Sequence, residues 1–278
     1  MPRKAVFLDV DGTLLNDRGL VPESAATAVQ RARANGHLVF LCTGRSLAEL
    51  WGEIMEIGFD GVIAAAGGYV EVDGQVLHHQ NVPVDQVARV IDFFDARGIN
   101  YFLEANSGLY GSSTIKTQMR EVLYGGVTDE NVLAELERGF APFIEHLIVG
   151  EDMLREDINK ISFLGSDVPF ETIRTEFADA FDIIPATVPQ FEPNSGELAI
   201  AGVHKAGAIE ILLEHLGIPV ADTMAYGDGH NDLEMLDYVN IGVAMGNAHQ
   251  KVKDVADDIT GSPDEDGLLT SFTKYGLI

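Results

Sequence analysis

One cysteine, Cys42, stands in 278 residues, which excludes an internal disulfide and fits a reducing compartment. Basic residues are scarce: 18 Lys and Arg face 44 Asp and Glu, a formal net charge of −26 at pH 7. A surface that negative disfavours attachment to nucleic acid or to an anionic membrane. Any anionic substrate must therefore be attracted locally, by a metal or by a few cations. No uninterrupted apolar run is long enough to span a bilayer. The first apolar run is cut by Asp9 and Asp11 too early for the core of an export signal, so the expected location is the cytoplasm. No Gly-x-Gly-x-x-Gly follows the first strand, which argues against a dinucleotide-binding protein. Internal repeats and low-complexity tracts are absent as well.

What is present begins at once, in Lys4-Ala-Val-Phe-Leu-Asp-Val-Asp-Gly-Thr-Leu-Leu15. Residues 5–8 are a buried-strand run. Side chains two apart in an extended chain share a face, so Asp9 and Asp11 are expected to leave the strand tip on one side. Gly12 and Thr13 then turn the chain. Two carboxylates held that close repel unless a divalent cation or a shared proton intervenes.

The length allows one or two domains, and 46% hydrophobic residues supply ample core. Residues 23–35 read as a helix between Pro22 and Gly36. Residues 38–41 form a second strand ending in Cys42-Thr43-Gly44-Arg45, and Ser46 caps a helix through about Glu56. A third buried run covers 62–65, and 69–77 reads as a hairpin about Asp73-Gly74. Strands alternating with helices imply a doubly wound, Rossmann-like parallel sheet. From about residue 82 the pattern changes to α+β. Helices are expected at 84–97, 114–124, 129–139 and 170–181, and strands at 100–105, 109–112, 144–149 and 158–164. A linker holding Pro185, Pro189 and Pro193 leads back to alternating α/β. The expected organisation is a core of residues 1–81 and 190–278 with an inserted α+β cap of 82–189.

In an open parallel sheet, ligands bind beyond the C-terminal ends of the strands. Three polar clusters lie at such ends: Asp9/Asp11, Thr43-Gly44 and Asp228/Asn231/Asp232. Together they suggest phosphoryl transfer. Mg²⁺ takes a few carboxylates plus phosphate oxygens; Asp9 and Asp228 suit that role, with Asp232 a further candidate. A carboxylate can also attack phosphorus to give an aspartyl-phosphate. Asp11 could protonate the leaving oxygen and then activate water. Thr43 and the backbone N–H groups of Gly12 and Gly44 can hold phosphate oxygens. Lys205, at a helix start, adds positive charge.

The same stretches resemble the haloacid dehalogenase-like superfamily of phosphotransferases. Asp-Val-Asp-Gly-Thr (9–13) is similar to its first motif, and Thr43-Gly44-Arg45 to its second. Lys205 in Val-His-Lys-Ala-Gly (203–207) is similar to the third, and Gly-Asp-Gly-His-Asn-Asp (227–232) to the fourth. Val243-Ala-Met-Gly-Asn-Ala248, Ala256-Asp257 and Glu265-Asp-Gly267 further resemble the Cof-like branch, subclass IIB, which carries a large α/β cap between the second and third motifs. The resemblance implies Asp9 as nucleophile and magnesium ligand, and Asp11 as general acid/base with its backbone carbonyl on the metal. It implies Thr43 and Lys205 on the phosphoryl group, Asn231 on the substrate phosphate, and Asp228 with Asp232 at the metal. One departure is the Ala66-Gly67-Gly68 loop, where many relatives carry Asn-Gly.

His230, inside the fourth motif, reads as a solvent-facing or substrate-rim residue, and Cys42 as a small buried residue. Lys160, in the strand Asn159-Lys-Ile-Ser-Phe163, is the cap residue expected to reach substrate, with snorkelling along an amphipathic strand as its bland alternative. Glu104 to Tyr110 is a candidate specificity loop. The leading expectation is an Mg²⁺-dependent phosphatase of small phosphorylated metabolites, sugar phosphates first. Phosphomutase or phosphotransferase chemistry is the close alternative, and a non-catalytic phospho-ligand-binding protein the distant one. Oligomeric state is not legible.

Overall fold

The computed structural model describes residues 3–186 and 194–278. The expected Pro189 and Pro193 linker positions, and the expected boundary at 189/190, lie outside them. The chain divides into two compact units. Unit 1 comprises Met1–Arg45, Leu50–His79 and Val203–Ile278, and unit 2 comprises Ser46–Glu49 and Gln80–Gly202.

Unit 1 is built on a sheet whose strands β1 (Ala5–Leu8), β2 (Leu38–Cys42), β3 (Gly61–Ala64), β12 (Thr223–Gly227), β13 (Ile241–Ala244) and β14 (Asp258–Ile259) run parallel, with β4 (Tyr69–Val72) and β5 (Gln75–His79) added antiparallel. The order is β14-β13-β12-β1-β2-β3-β4-β5. β1 thus lies between β2 and β12, with Leu8 level with Leu41 and with Tyr226. The strand order reverses there, where a doubly wound sheet opens a crevice. Alternation sorts the strand residues onto two faces. Ala5, Phe7, Phe40, Cys42 and Ala225 pack with Ile209 and Leu212 of α7 (Lys205–Leu216) and Met235 and Leu236 of α8 (Leu233–Tyr238). Tyr226 instead meets Phe272 of α10 (Gly267–Lys274), and α10 lies against α1 (Glu23–Ala34). Helices therefore cover both faces.

Unit 2 has a six-stranded sheet made of β6 (Asn100–Ala105), β7 (Leu109–Gly111), β8 (Leu147–Val149), β9 (Ile158–Leu164), β10 (Phe181–Pro185) and β11 (Gly196–Ile200). Its order is β10-β11-β9-β6-β7-β8, antiparallel except for the last pair. Val87, Val90 and Phe94 of α3 (Val84–Asp95) and Ile173 and Phe177 of α6 (Phe170–Phe177) share a core with Phe163 and Leu198. Ile115, Met119 and Leu123 of α4 (Ile115–Tyr124) join Ile144 of α5 (Glu130–His146) in a second core with Phe102 and Leu164.

Three local expectations change. Residues 196–200, expected within the returning core of 190–278, form the strand β11 of unit 2, paired with β9 and β10, because Leu198 fills the unit 2 core. Unit 1 resumes only at Val203. The helix expected from Ser46 to Glu56 breaks at Gly52, whose φ is +58°, into a 3-10 turn (Leu47–Glu49) and the short α2 (Glu53–Glu56). The helix expected at 129–139 continues through Pro142 to His146, which leaves only Leu147–Val149 as strand.

The loop after β3 braces the loop after β2 and the start of α7. Ala65 and Ala66 sit at φ +51° and +54°, in the left-handed region that disfavours side chains. Their N–H groups donate to the Arg45 carbonyl (2.7 Å) and the Thr43 carbonyl (3.0 Å), which fastens the loop after β2. Gly67 follows at φ +111°, and a Cβ there would lie 2.5 Å from the His204 carbonyl oxygen, at the entry to α7. Gly67→Ala is therefore expected to cost roughly 1–3 kcal/mol of stability through backbone strain, with more from the clash. Denaturant titration of the purified variant checks this; an unchanged midpoint would show that α7 can move away without loss.

Candidate active site

β1 ends at Leu8, and the chain turns around the Val10 carbonyl, which accepts from the N–H groups of Leu14 (3.0 Å) and Leu15 (2.8 Å). The two carboxylates differ in exposure and partner, although Asp11 stays close enough to add to the proton affinity of Asp9. Asp9 is buried, at 5% exposure. The Asp11 side chain is 62% exposed and accepts two hydrogen bonds from Arg45, from Nε (2.9 Å) and Nη2 (2.6 Å).

Lys205 is the first residue of α7 and is fully buried. Its Nζ donates to Asp9 Oδ1 and to Asp232 Oδ1, each at 2.6 Å. Burial pulls the lysine pKa down, but the Asp232 and Asp9 carboxylates outweigh it and hold the ammonium charged. Asp232 is equally buried, and its Oδ2 accepts from the backbone N–H groups of Asp228 and Gly229, both at 2.9 Å. It locks the loop after β12 to Lys205.

Asp228 stands on that loop. Its Oδ1 accepts from the Thr13 hydroxyl (3.1 Å) and its Oδ2 from Asn247 Nδ2 (3.3 Å). Asn247 also donates to the Gly12 carbonyl at 2.9 Å, tying the loop after β1 to the turn that follows β13. Gly12 has φ +75°, and a Cβ on it would lie 2.3 Å from Asp228 Oδ2, so only glycine lets the loops approach. Thr43 is buried, and its hydroxyl oxygen accepts from the Arg45 N–H (3.1 Å). A Cβ on Gly44 would lie 3.4 Å from Asn231 Nδ2, so the loops after β2 and β12 also adjoin.

Of the expected site residues, Asp9, Asp11, Gly12, Thr43, Gly44, Lys205, Asp228, Asn231 and Asp232 all belong to unit 1, just beyond β1, β2 and β12 or at the start of α7. Lys160 belongs to unit 2. It is buried on β9, and its Nζ lies 2.8 Å from Glu197 and 3.2 Å from Glu104. Three participants were not singled out as site residues: Thr13, Arg45 and Asn247. Each stands inside a quoted motif, but no spacing rule assigns Arg45 to Asp11 or Asn247 to Gly12.

Carboxylate oxygens of Asp9, Asp228 and Asp232 lie within 4.8 Å of one another, a grouping that could hold a metal ion. The charge balance fits a divalent one. Asp9, Asp11, Asp228 and Asp232 are paired here with two cations, Lys205 and Arg45, which leaves an excess of two negative charges. Without a cation the excess is felt as proton affinity. Burial, followed by repulsion from Asp232, pushes Asp228 up to about 7. Burial raises Asp9 well above the usual range, against the pull of Lys205. Oxygen-only donors at partly dehydrated carboxylates suit a hard cation such as magnesium.

The sequence profile of the haloacid dehalogenase-like hydrolases matches residues 6–272. The chain belongs to that family. YkrA of Bacillus subtilis strain 168, named a putative phosphatase, is 27% identical over the whole of both chains. YitU of the same organism, named a 5-amino-6-(5-phospho-D-ribitylamino)uracil phosphatase, is 25% identical over 97% of this chain and 96% of its own. Among solved structures, BT1666 of Bacteroides thetaiotaomicron, described with the phosphatases of the superfamily, superposes with a TM-score of 0.76. It is 26% identical, covering 99% of this chain and 96% of that one. The protein is thus a haloacid dehalogenase-type phosphatase with the family's α/β fold. No helix among the described residues is long and apolar enough to cross a membrane.

The charges of the site set two expectations. In the ion-free protein, ionised Asp9 and Asp228 cost stability. That cost is absent below the ordinary carboxylate value of 3.8 and, for Asp228, complete above about 7. Magnesium chloride should therefore raise the thermal midpoint by a few degrees at pH 8 and by much less at pH 5, where it must displace protons. Equal shifts at both pH values would contradict this. Lys205→Ala leaves two buried carboxylates unpaired and should cost about 3–5 kcal/mol, read by chemical denaturation; a loss below about 1 kcal/mol would mean that water replaces the ammonium.

Proposed function

We propose that the protein hydrolyses phosphate monoesters of small polyhydroxylated metabolites, sugar phosphates first, with magnesium and through a phosphorylated Asp9. The observation that carries this reading is the buried Asp9, held by Lys205 through one oxygen and grouped with Asp228. Asp9, Asp228, Asp232 and the Asp11 carbonyl would hold magnesium, which would supply the positive charge that lets a phosphate approach four carboxylates.

The chain's own residues divide the remaining work. Lys205 fixes Asp9 through Oδ1, leaving Oδ2 to attack phosphorus as the ester oxygen departs. Two of the three ammonium N–H bonds point at Asp9 and Asp232, and the third is assigned to a phosphoryl oxygen. The Thr43 hydroxyl accepts from Arg45 N–H, so its own proton can be donated to the phosphoryl group, beside the N–H groups of Gly12 and Gly44 and the Asn231 amide. Asp11 is assigned the proton for the leaving oxygen, and afterwards removal of a proton from the water that splits the aspartyl-phosphate. Arg45 holds both Asp11 oxygens, so Asp11 can act only once the guanidinium is drawn off. Incoming phosphoryl oxygens are the natural competitor, since guanidinium pairs with phosphate as readily as with carboxylate. Substrate arrival would in this way free the Asp11 carboxylate to take up a proton from solvent, which it then gives to the leaving oxygen.

Unit 2 is assigned selection of the organic group, as an inserted cap. Lys160 would enter as part of a set with Glu104 and Glu197, not as a bare cation. Burial and the nearby Glu49 push Glu104 up to about 8, so at neutral pH it is mostly protonated and can donate as well as accept. Paired donors and acceptors suit hydroxyl groups. The relative YitU is named for a phosphate ester on a ribityl chain, which is such a polyol.

The test is release of inorganic phosphate from a panel of sugar phosphates and an aryl phosphate, with and without magnesium, by wild type and Asp9→Asn. Turnover should require the metal and fall on the order of a thousandfold or more in Asp9→Asn. Phosphate moved to a second sugar hydroxyl would replace hydrolysis by transfer. No metal-dependent turnover on any ester would overturn the proposal.

A further inference from the structure

Two histidines of unit 1 stand outside the proposed chemistry. His230 lies on the loop after β12, two residues from both Asp228 and Asp232, and His249 immediately precedes α9 (Gln250–Val255). Both are exposed. Their ring centres are 4.9 Å apart, with the planes inclined by 47°. Neither ring takes part in a hydrogen bond or ion pair with another described residue, and His249 starts its helix without a side-chain cap. Two exposed imidazoles brought together without a structural use are what a chelating pair requires.

The spacing fits one ion. With metal–nitrogen bonds of about 2 Å, each ring centre lies roughly 3 Å from the metal, so two imidazoles on a tetrahedral ion have centres about 5 Å apart. We propose that His230 and His249 form a two-imidazole site for a borderline divalent ion of the zinc class, separate from the carboxylate site. Ligand type sorts the ions: imidazole favours zinc, nickel and copper, whereas magnesium keeps to oxygen. Water fills the remaining positions.

The location gives such an ion leverage. The His249 N–H donates to the Asp228 carbonyl (3.3 Å), and Asn247, two residues earlier, holds Gly12 and the Asp228 carboxylate. An ion tying His230 to His249 would staple the loop that carries Asp228 to the turn that supports it.

The experiment reads binding, not turnover, so its result is independent of the proposed hydrolysis. In excess magnesium, zinc is titrated against a chromophoric chelator with wild type, His230→Ala, His249→Ala and His249→Gln. One zinc per chain is expected, weakened at least tenfold by each substitution. Copper(II) should show two nitrogen ligands by electron paramagnetic resonance in wild type and one in either alanine variant. Zinc affinity unchanged by the substitutions, or zinc displaced by magnesium, would overturn the site. The ion-free thermal midpoint of His249→Ala should match wild type; if it falls, His249→Gln decides.

Discussion

A single buried ammonium organises the catalytic end of this molecule. Lys205 has no exposed surface, and a lone charge there would cost several kcal/mol. It is tolerated because Asp9 and Asp232 each lend it an oxygen at 2.6 Å. The three residues come from the end of β1, the start of α7 and the loop after β12, so one shared proton donor pins three otherwise unrelated segments. Asp232 extends the grip by accepting from the N–H groups of Asp228 and Gly229. The position of Asp228 is therefore inherited from Lys205, although the two need not touch.

That arrangement leaves an imbalance. A structural ion-pair network would be expected to neutralise itself, yet here the acidic side chains exceed the basic ones by two. At Asp9 and Asp228 burial outweighs the relief that Lys205 and Thr13 provide, and both carboxyls are pushed above the usual range. Packing adds to the constraint: Gly12 must lack a Cβ for the first loop to come so close to Asp228. A merely stable turn would fare better with one carboxylate fewer. Holding all of them together makes sense when the missing charge arrives from solution.

Much of this was legible because two rules carry over from sequence to structure. Short apolar runs became the parallel strands β1, β2, β3, β12 and β13, and the polar residues at their ends met because β12, β1 and β2 are neighbours. What stayed hidden depended on partners that periodicity does not see. Alternation relates Asp9 to Asp11 but does not show that Asp9 is buried against Lys205 while Asp11 is exposed and held by Arg45. Residues 196–200 were expected with the core that follows the three prolines, yet Leu198 completes the core of unit 2. Lys160 stood out as a lysine aimed at something. Its partners, Glu104 and Glu197, sit on the neighbouring strands β6 and β11, one far before it in the chain and one far after. Only sheet pairing brings them together, and no local pattern announces either.

The strain after β3 belongs to the same logic. Consecutive alanines in the left-handed region each cost on the order of 1 kcal/mol, a conformation glycine or asparagine would hold with less strain. The cost is met by two backbone hydrogen bonds, from Ala65 to the Arg45 carbonyl and from Ala66 to the Thr43 carbonyl. Those carbonyls flank Gly44, in the loop that carries Thr43 and holds the Arg45 guanidinium against Asp11. A relaxed loop could follow Arg45 wherever its long side chain found a partner on so acidic a surface. Anchoring the backbone at both ends limits that choice and keeps the guanidinium beside Asp11, as the proposed competition with phosphate requires. Strain in the supporting loop thus secures the orientation on which release of the proposed acid depends.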